Sequence, residues 1–183
     1  MDCTYIDLLR HGETTGGSRF CGKLDEPLTP RGWRQMLAAV EEAGPWDAIV
    51  SSPLSRCADF AWALARRQAI PLDSDDRLRE MHFGNWEGRS AAELMATEPK
   101  ALTGFWNDPL KHPPPGAEPL TQFQARTLAA WDAVLDRYRH RRVLLITHGG
   151  VIRVILGRVL QRPLAHLLRI EVPHASLHRT LIH

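Results

Sequence analysis

Two histidines each stand between an apolar run and a glycine. His11 lies in LLRHGET, residues 8–14, and His148 in LLITHGG, residues 144–150. Arg10 precedes the first, and Arg56 follows a third apolar segment in SSPLSR, residues 51–56. These types suit phosphate chemistry. A guanidinium presents a planar fork of donors that matches a dianionic phosphate. Neutral imidazole is a good nucleophile near pH 7, because its ordinary pKa is about 6.5. Attack on phosphorus would give a phosphohistidine and split one transfer into two easier steps. A second imidazole can donate to a phosphoryl oxygen as charge builds. Arginines and histidines carry the charge in this scheme, so it requires no metal. A single histidine at a strand end is more often a packed structural residue. The repeat of His-Gly at two such ends, with two arginines at hand, carries the reading.

A departing alkoxide needs a proton, and three carboxylates are candidates: Glu13, Glu80 and Glu87. Glu80 sits in LREMHFGNWEG among Leu78, Met81 and Phe83, and apolar neighbours suit a general acid. Glu13 is expected to hydrogen-bond within its own turn. Glu87 is expected to be a turn residue or a local hydrogen-bonding partner. Other chemistries lack their motifs. There is no H-E-x-x-H, no G-x-x-x-x-G-K-[ST], no G-x-G-x-x-G and no G-x-S-x-G. His174, His178 and His183 fall in a tail of strand character and are expected at the surface or a sheet edge.

The elements around these residues alternate. TYIDLLR, DAIVSS and VLLIT read as strands, the last a continuous apolar run of the kind a central parallel strand shows. Thr29 caps a helix with Pro30 at its first position. Further helices are predicted in residues 53–68, in 90–106 with a break near Pro99, in 120–140, and from Val151 to Leu160. The tail predicts two short strands. The pattern is α/β: three layers, α/β/α, with a mostly parallel central sheet and an antiparallel edge strand. His11 and His148 would then share one rim, beyond the carboxyl ends of adjacent strands. Residues 1–183 are read as one domain, with a proline-rich loop or lid around 107–119.

Composition narrows the partners. The chain has 183 residues, 44% hydrophobic and 24% charged, with a net charge of +2. Such balance gives no general attraction to nucleic acid or membrane. RYRHRR, residues 137–142, reads as a solvated helix end. The three cysteines, Cys3, Cys21 and Cys57, are odd in number and lack C-x-x-C spacing, so reduced thiols are expected. The N-terminus shows no signal-peptide pattern, and no apolar run approaches the roughly 20 residues of a membrane span. The expected partner is a small-molecule phosphate ester, with no cofactor, no nucleic acid and no membrane. The protein is expected in the cytoplasm as a monomer or homodimer.

In order, LLRHGET, SSPLSRCADFA, LREMHFGNWEG and LLITHGGVIR resemble the four motif segments of the histidine phosphatase, or phosphoglycerate mutase-like, superfamily. The resemblance runs through nearly the whole chain. It implies His11 as the phosphorylated nucleophile, His148 as a catalytic residue of the same phosphate pocket, and Glu80 as general acid. It implies Arg10 and Arg56 on the phosphate, with backbone near Gly22 approaching it. Within the superfamily the short length and several segments resemble the α-ribazole phosphatases of cobalamin nucleotide-loop assembly. That implies α-ribazole 5′-phosphate as substrate. A broad-specificity or sugar-phosphate phosphatase, a phosphoglycerate mutase and a non-catalytic phospho-ligand module are the alternatives. Two departures stand out. Many members have Asn six residues after the nucleophile, where this chain has Gly17; Ser18 or a backbone nest is the expected substitute donor. The family's GGES element is here GAEP, which leaves Glu118 outside the expected site.

Overall fold

The computed structural model describes residues 3–182. Among these, five strands are β1 (Thr4–Arg10), β2 (Ala48–Ser51), β3 (Leu72–Ser74), β4 (Arg142–Thr147) and β5 (Leu177–Ile182). Six α-helices among the described residues are α1 (Pro30–Val40), α2 (Ser55–Gln68), α3 (Ala91–Thr97), α4 (Pro99–Asn107), α5 (Leu120–Arg137) and α6 (Gly149–Val159). The sheet order is β3-β2-β4-β1-β5. Neighbours are parallel except β1 and β5, which run antiparallel.

Side-chain alternation along the strands builds a core on each face. Ile6, Leu8, Val143 and Leu145 face a cluster completed by α3 to α6. Leu9, Leu144 and Ile146 face the other, completed by Met36 and Val40 of α1 and Phe60 and Leu64 of α2. β4 is buried on both faces from Val143 onward, which explains its unbroken apolar run. No helix among the described residues is long and apolar enough to cross a membrane.

Local signals fix the ends. Thr29 Oγ1 accepts from Gly32 N at 2.9 Å, and Pro30 opens α1. Ser90 and Glu93 form a reciprocal capping box at α3. The tail departs from expectation. Only Leu177–Ile182 is a strand, while Leu164–Arg169 is a 3₁₀ helix. Its apolar residues Leu164, Leu167 and Leu168 fall at helical spacing and pack on the α6 side of the core. His183 lies outside the described residues. The proline-rich segment is tied down at both sides of a turn. Asn85 N donates to Pro115 O at 2.8 Å, and Glu118 N to His82 O at 2.9 Å.

Candidate active site

β1 and β4 pair in register with Arg10 opposite Thr147, so the residues that follow, His11 and His148, emerge together at the carboxyl rim. His11 N donates to Thr147 O at 3.0 Å. The two imidazoles meet edge to face with centroids 5.3 Å apart. Gly12 is required by packing. A Cβ there would lie 2.2 Å from the Gly32 carbonyl, because the first turn of α1 sits against this loop.

His11 Nδ1 lies 2.8 Å from the Gly12 carbonyl oxygen. That oxygen can only accept, so Nδ1 carries the proton and Nε2 keeps its lone pair. Burial, and then the nearby Arg10 cation, hold the His11 pKa well below 6.5. His148 is fully buried. Arg56 Nε donates to its Nδ1 at 3.2 Å, so Nε2 carries the proton and donates to Ser52 Oγ at 2.7 Å. Burial, followed by Arg56, also holds His148 well below 6.5. Both ring nitrogens of His148 thus have protein partners. The ring packs against His11 and holds Arg56 but does not line the cavity, so it is placed behind the phosphate pocket in which it was expected, because both its nitrogens are taken by Arg56 and Ser52.

That cavity, about 330 Å³, is lined by Arg10, His11, Thr14, Gly17, Ser18, Arg56, Glu80 and Gly149, and also by Arg19, Arg153 and His174. Arg10 donates from one terminal nitrogen to Val172 O at 2.6 Å. Its buried Nε has no hydrogen-bond partner among the described residues. Burial pushes the Arg10 pKa down to about 10, so the group stays cationic at neutrality. Arg56 is buried at 1% exposure. Beyond His148 it binds the carbonyls of Leu24 at 2.8 Å, Cys21 at 2.9 Å and Gly22 at 3.3 Å.

Glu80 stands at the cavity edge. Its Oε1 accepts from Met81 N at 3.1 Å and its Oε2 from Gly150 N at 3.0 Å, in the first turn of α6. A Cβ at Gly150 would lie 2.3 Å from Glu80 Oε1, so that approach needs glycine. Gly22 lies outside the lining. Its N–H is taken by both oxygens of Glu87 at 3.1 Å. Ser18 lines the cavity from an exposed position. Gly17 has φ +62°, and its N–H donates to Thr14 O at 3.0 Å, which removes one donor from the expected nest.

Three further placements differ from expectation. Glu87 reaches far beyond its own turn, accepting from Lys23 N at 3.0 Å, Leu24 N at 3.3 Å and Phe83 N at 2.9 Å as well. Glu13 bonds across to α1, accepting from Thr29 Oγ1 at 3.1 Å and pairing with Arg31 at 3.4 Å. His174 is half-buried in the cavity, its ring 5.6 Å from that of His11. Burial and then Arg10 push its pKa down to about 4. No hydrogen bond to its ring nitrogens occurs among the described residues. Arg153 also went unforeseen, although HGGVIR places it early in α6 on the helix that follows His148.

The chain is 35% identical over 180 residues to a glucosyl-3-phosphoglycerate phosphatase of Mycobacterium tuberculosis, covering 91% of this chain and 79% of that one. It is 34% identical over 179 residues to a bifunctional protein of the same organism, covering 95% of this chain. The chain spans about half the length of that relative, 49%. YhfR of Bacillus stearothermophilus superposes with TM-score 0.88 at 32% identity, over 96% of this chain and 90% of that one. An α-ribazole phosphatase of Shigella flexneri superposes with TM-score 0.80 at 26% identity, over 96% and 89%. The model of the histidine phosphatase superfamily (branch 1) matches residues 6–183, and the chain belongs to that family.

Proposed function

We propose that the protein is a metal-independent phosphomonoesterase that works through a phosphohistidine on His11. One juxtaposition carries the reading: Arg10, whose buried Nε has no hydrogen-bond partner among the described residues, lines the same cavity as His11, whose Nε2 is left free by the bond at Nδ1. A buried unpaired donor is costly, and an anion would satisfy it. Gly149 opens an 11-residue helix at the cavity wall, and a helix N-terminus favours negative charge.

In the first step His11 Nε2 forms a bond to phosphorus while the ester P–O bond breaks. The alcohol oxygen takes a proton from Glu80. Water then attacks the phosphorus, Glu80 recovers the proton, and the N–P bond breaks to release phosphate and free His11. Arg10 and the remaining donor capacity of Arg56 hold the phosphoryl oxygens. His174 offers a ring N–H on the same cavity, where Gly17 has no side chain. His148 acts by fixing Arg56 and packing against His11.

The alcohol has two readings. Segment resemblance to α-ribazole phosphatases supports α-ribazole 5′-phosphate. The 35% identity to a glucosyl-3-phosphoglycerate phosphatase supports a sugar phosphate. Relative kcat/KM over both esters and 3-phosphoglycerate separates them. Rapid quench with phosphorus-labelled substrate should trap an acid-labile adduct that is lost in His11→Ala. Undiminished turnover in that variant would end the phosphohistidine reading.

A further inference from the structure

A second cavity of about 280 Å³ adjoins the phosphate pocket and shares Phe20, Glu80, Phe83 and Arg153 with it. Its other walls include Phe105, Trp106, Leu120, Phe123 and Leu168. Phe20, which lines both, packs edge-on against Phe83 at 5.1 Å and Phe105 at 6.3 Å between centroids. The charged groups in this lining are Glu80 and Arg153, and both stand at the junction. Arg153 Nε donates to Ile170 O at 2.9 Å, one of its terminal nitrogens lies against Gly149 in the wall of the phosphate pocket, and both Glu80 oxygens accept backbone N–H groups.

We infer that this chamber receives the alcohol part of the substrate and selects an aromatic group on it. The inference rests on the phosphomonoesterase reading and adds the substrate class. Glu80 faces both cavities, so an ester with its phosphate beside His11 has its bridging oxygen near Glu80 and its alcohol directed past Phe20. Sugar hydroxyls entering there would lose water and meet aromatic and aliphatic walls, with few groups left to pair them. A flat ring instead gains edge and face contacts with Phe83, Phe105 and Trp106. Trp106, 46% exposed, leaves the outer wall open to a ring longer than the chamber.

The test compares 2-phenylethyl phosphate with ethyl phosphate, which have alcohols of similar acidity, and with glycerol 3-phosphate. Burial of one ring predicts a kcat/KM advantage of about 10- to 100-fold for the phenylethyl ester. The corresponding phosphonates, which cannot be hydrolysed, should show the same order in Kd. Leu168→Asp places a charge in the wall, and Trp106→Ala removes an exposed ring at little risk to folding. Both should bring the phenylethyl-to-ethyl ratio toward one. Equal kcat/KM with equal phosphonate Kd, or a preference for glycerol 3-phosphate, overturns the chamber assignment and leaves the phosphatase reading intact. Phosphonate preference without turnover of any ester sustains the chamber and overturns the phosphatase reading instead.

Discussion

Arg56 gives most of its hydrogens to the protein: to His148 and to the carbonyls of Cys21, Gly22 and Leu24. Its type and spacing suggest a free fork for phosphate, yet the fork is largely occupied. Its position makes it the keystone between the β4 rim and the 21–24 loop. His174 shows the opposite error. Read as an edge residue, it faces the cavity with both ring nitrogens free of partners among the described residues. If it supplies the donor that Gly17 lacks, His174→Ala should raise the Ki of inorganic phosphate and the KM by about 5-fold, the worth of one net hydrogen bond. The change in kcat should be smaller, and His174→Asn, which keeps an N–H, should restore much of the binding. An unchanged phosphate Ki would remove His174 from the phosphate contacts.

Elements far apart in sequence are coupled by single carboxylates. Glu87 gathers the N–H groups of Gly22, Lys23, Leu24 and Phe83, and so shapes the loop whose carbonyls hold Arg56. Glu118 and Arg126 pair at 2.7 Å, and Arg126 binds the carbonyls of Arg77 and Arg79 at 2.7 Å and Glu80 at 3.1 Å. This clamp fixes the backbone that carries Glu80, which gives the altered GAEP element a positioning role. Glu87→Gln would set an amide donor against a cluster of N–H groups. The expected cost is about 1–3 kcal/mol, or several degrees in Tm, with KM rising more than kcat falls. A variant with wild-type Tm and KM would show that the loop holds its shape without that carboxylate.

Across the molecule, His11, His148 and His174 are all held below 6.5, with burial the first cause in each. An unfolded chain takes up protons at these sites as pH falls through 6.5, while the folded chain does not. Stability therefore falls with pH below 6.5, and the loss continues toward the folded values, about 4 for His174. Tm in phosphate-free buffer should be lower at pH 5.5 than at pH 7.5. An equal or higher Tm at pH 5.5 would contradict burial of these imidazoles in the neutral form.

Strands β1, β2 and β4, the Thr29 cap and the break at Pro99 were legible in the chain, because periodicity, caps and prolines act over a few residues. So was the pairing of His11 with His148, since two apolar strands ending in His-Gly have little choice but to meet at one rim. The 3₁₀ helix at Leu164–Arg169 was not, because a short apolar run fits strand and helix alike until a core surface selects one. The reach of Glu87, the carbonyls around Arg56, the inward turn of His174 and the aromatic chamber were equally hidden. Each depends on groups separated by tens of residues, whose approach is set by how the loops pack over the sheet and leaves no local pattern in the sequence.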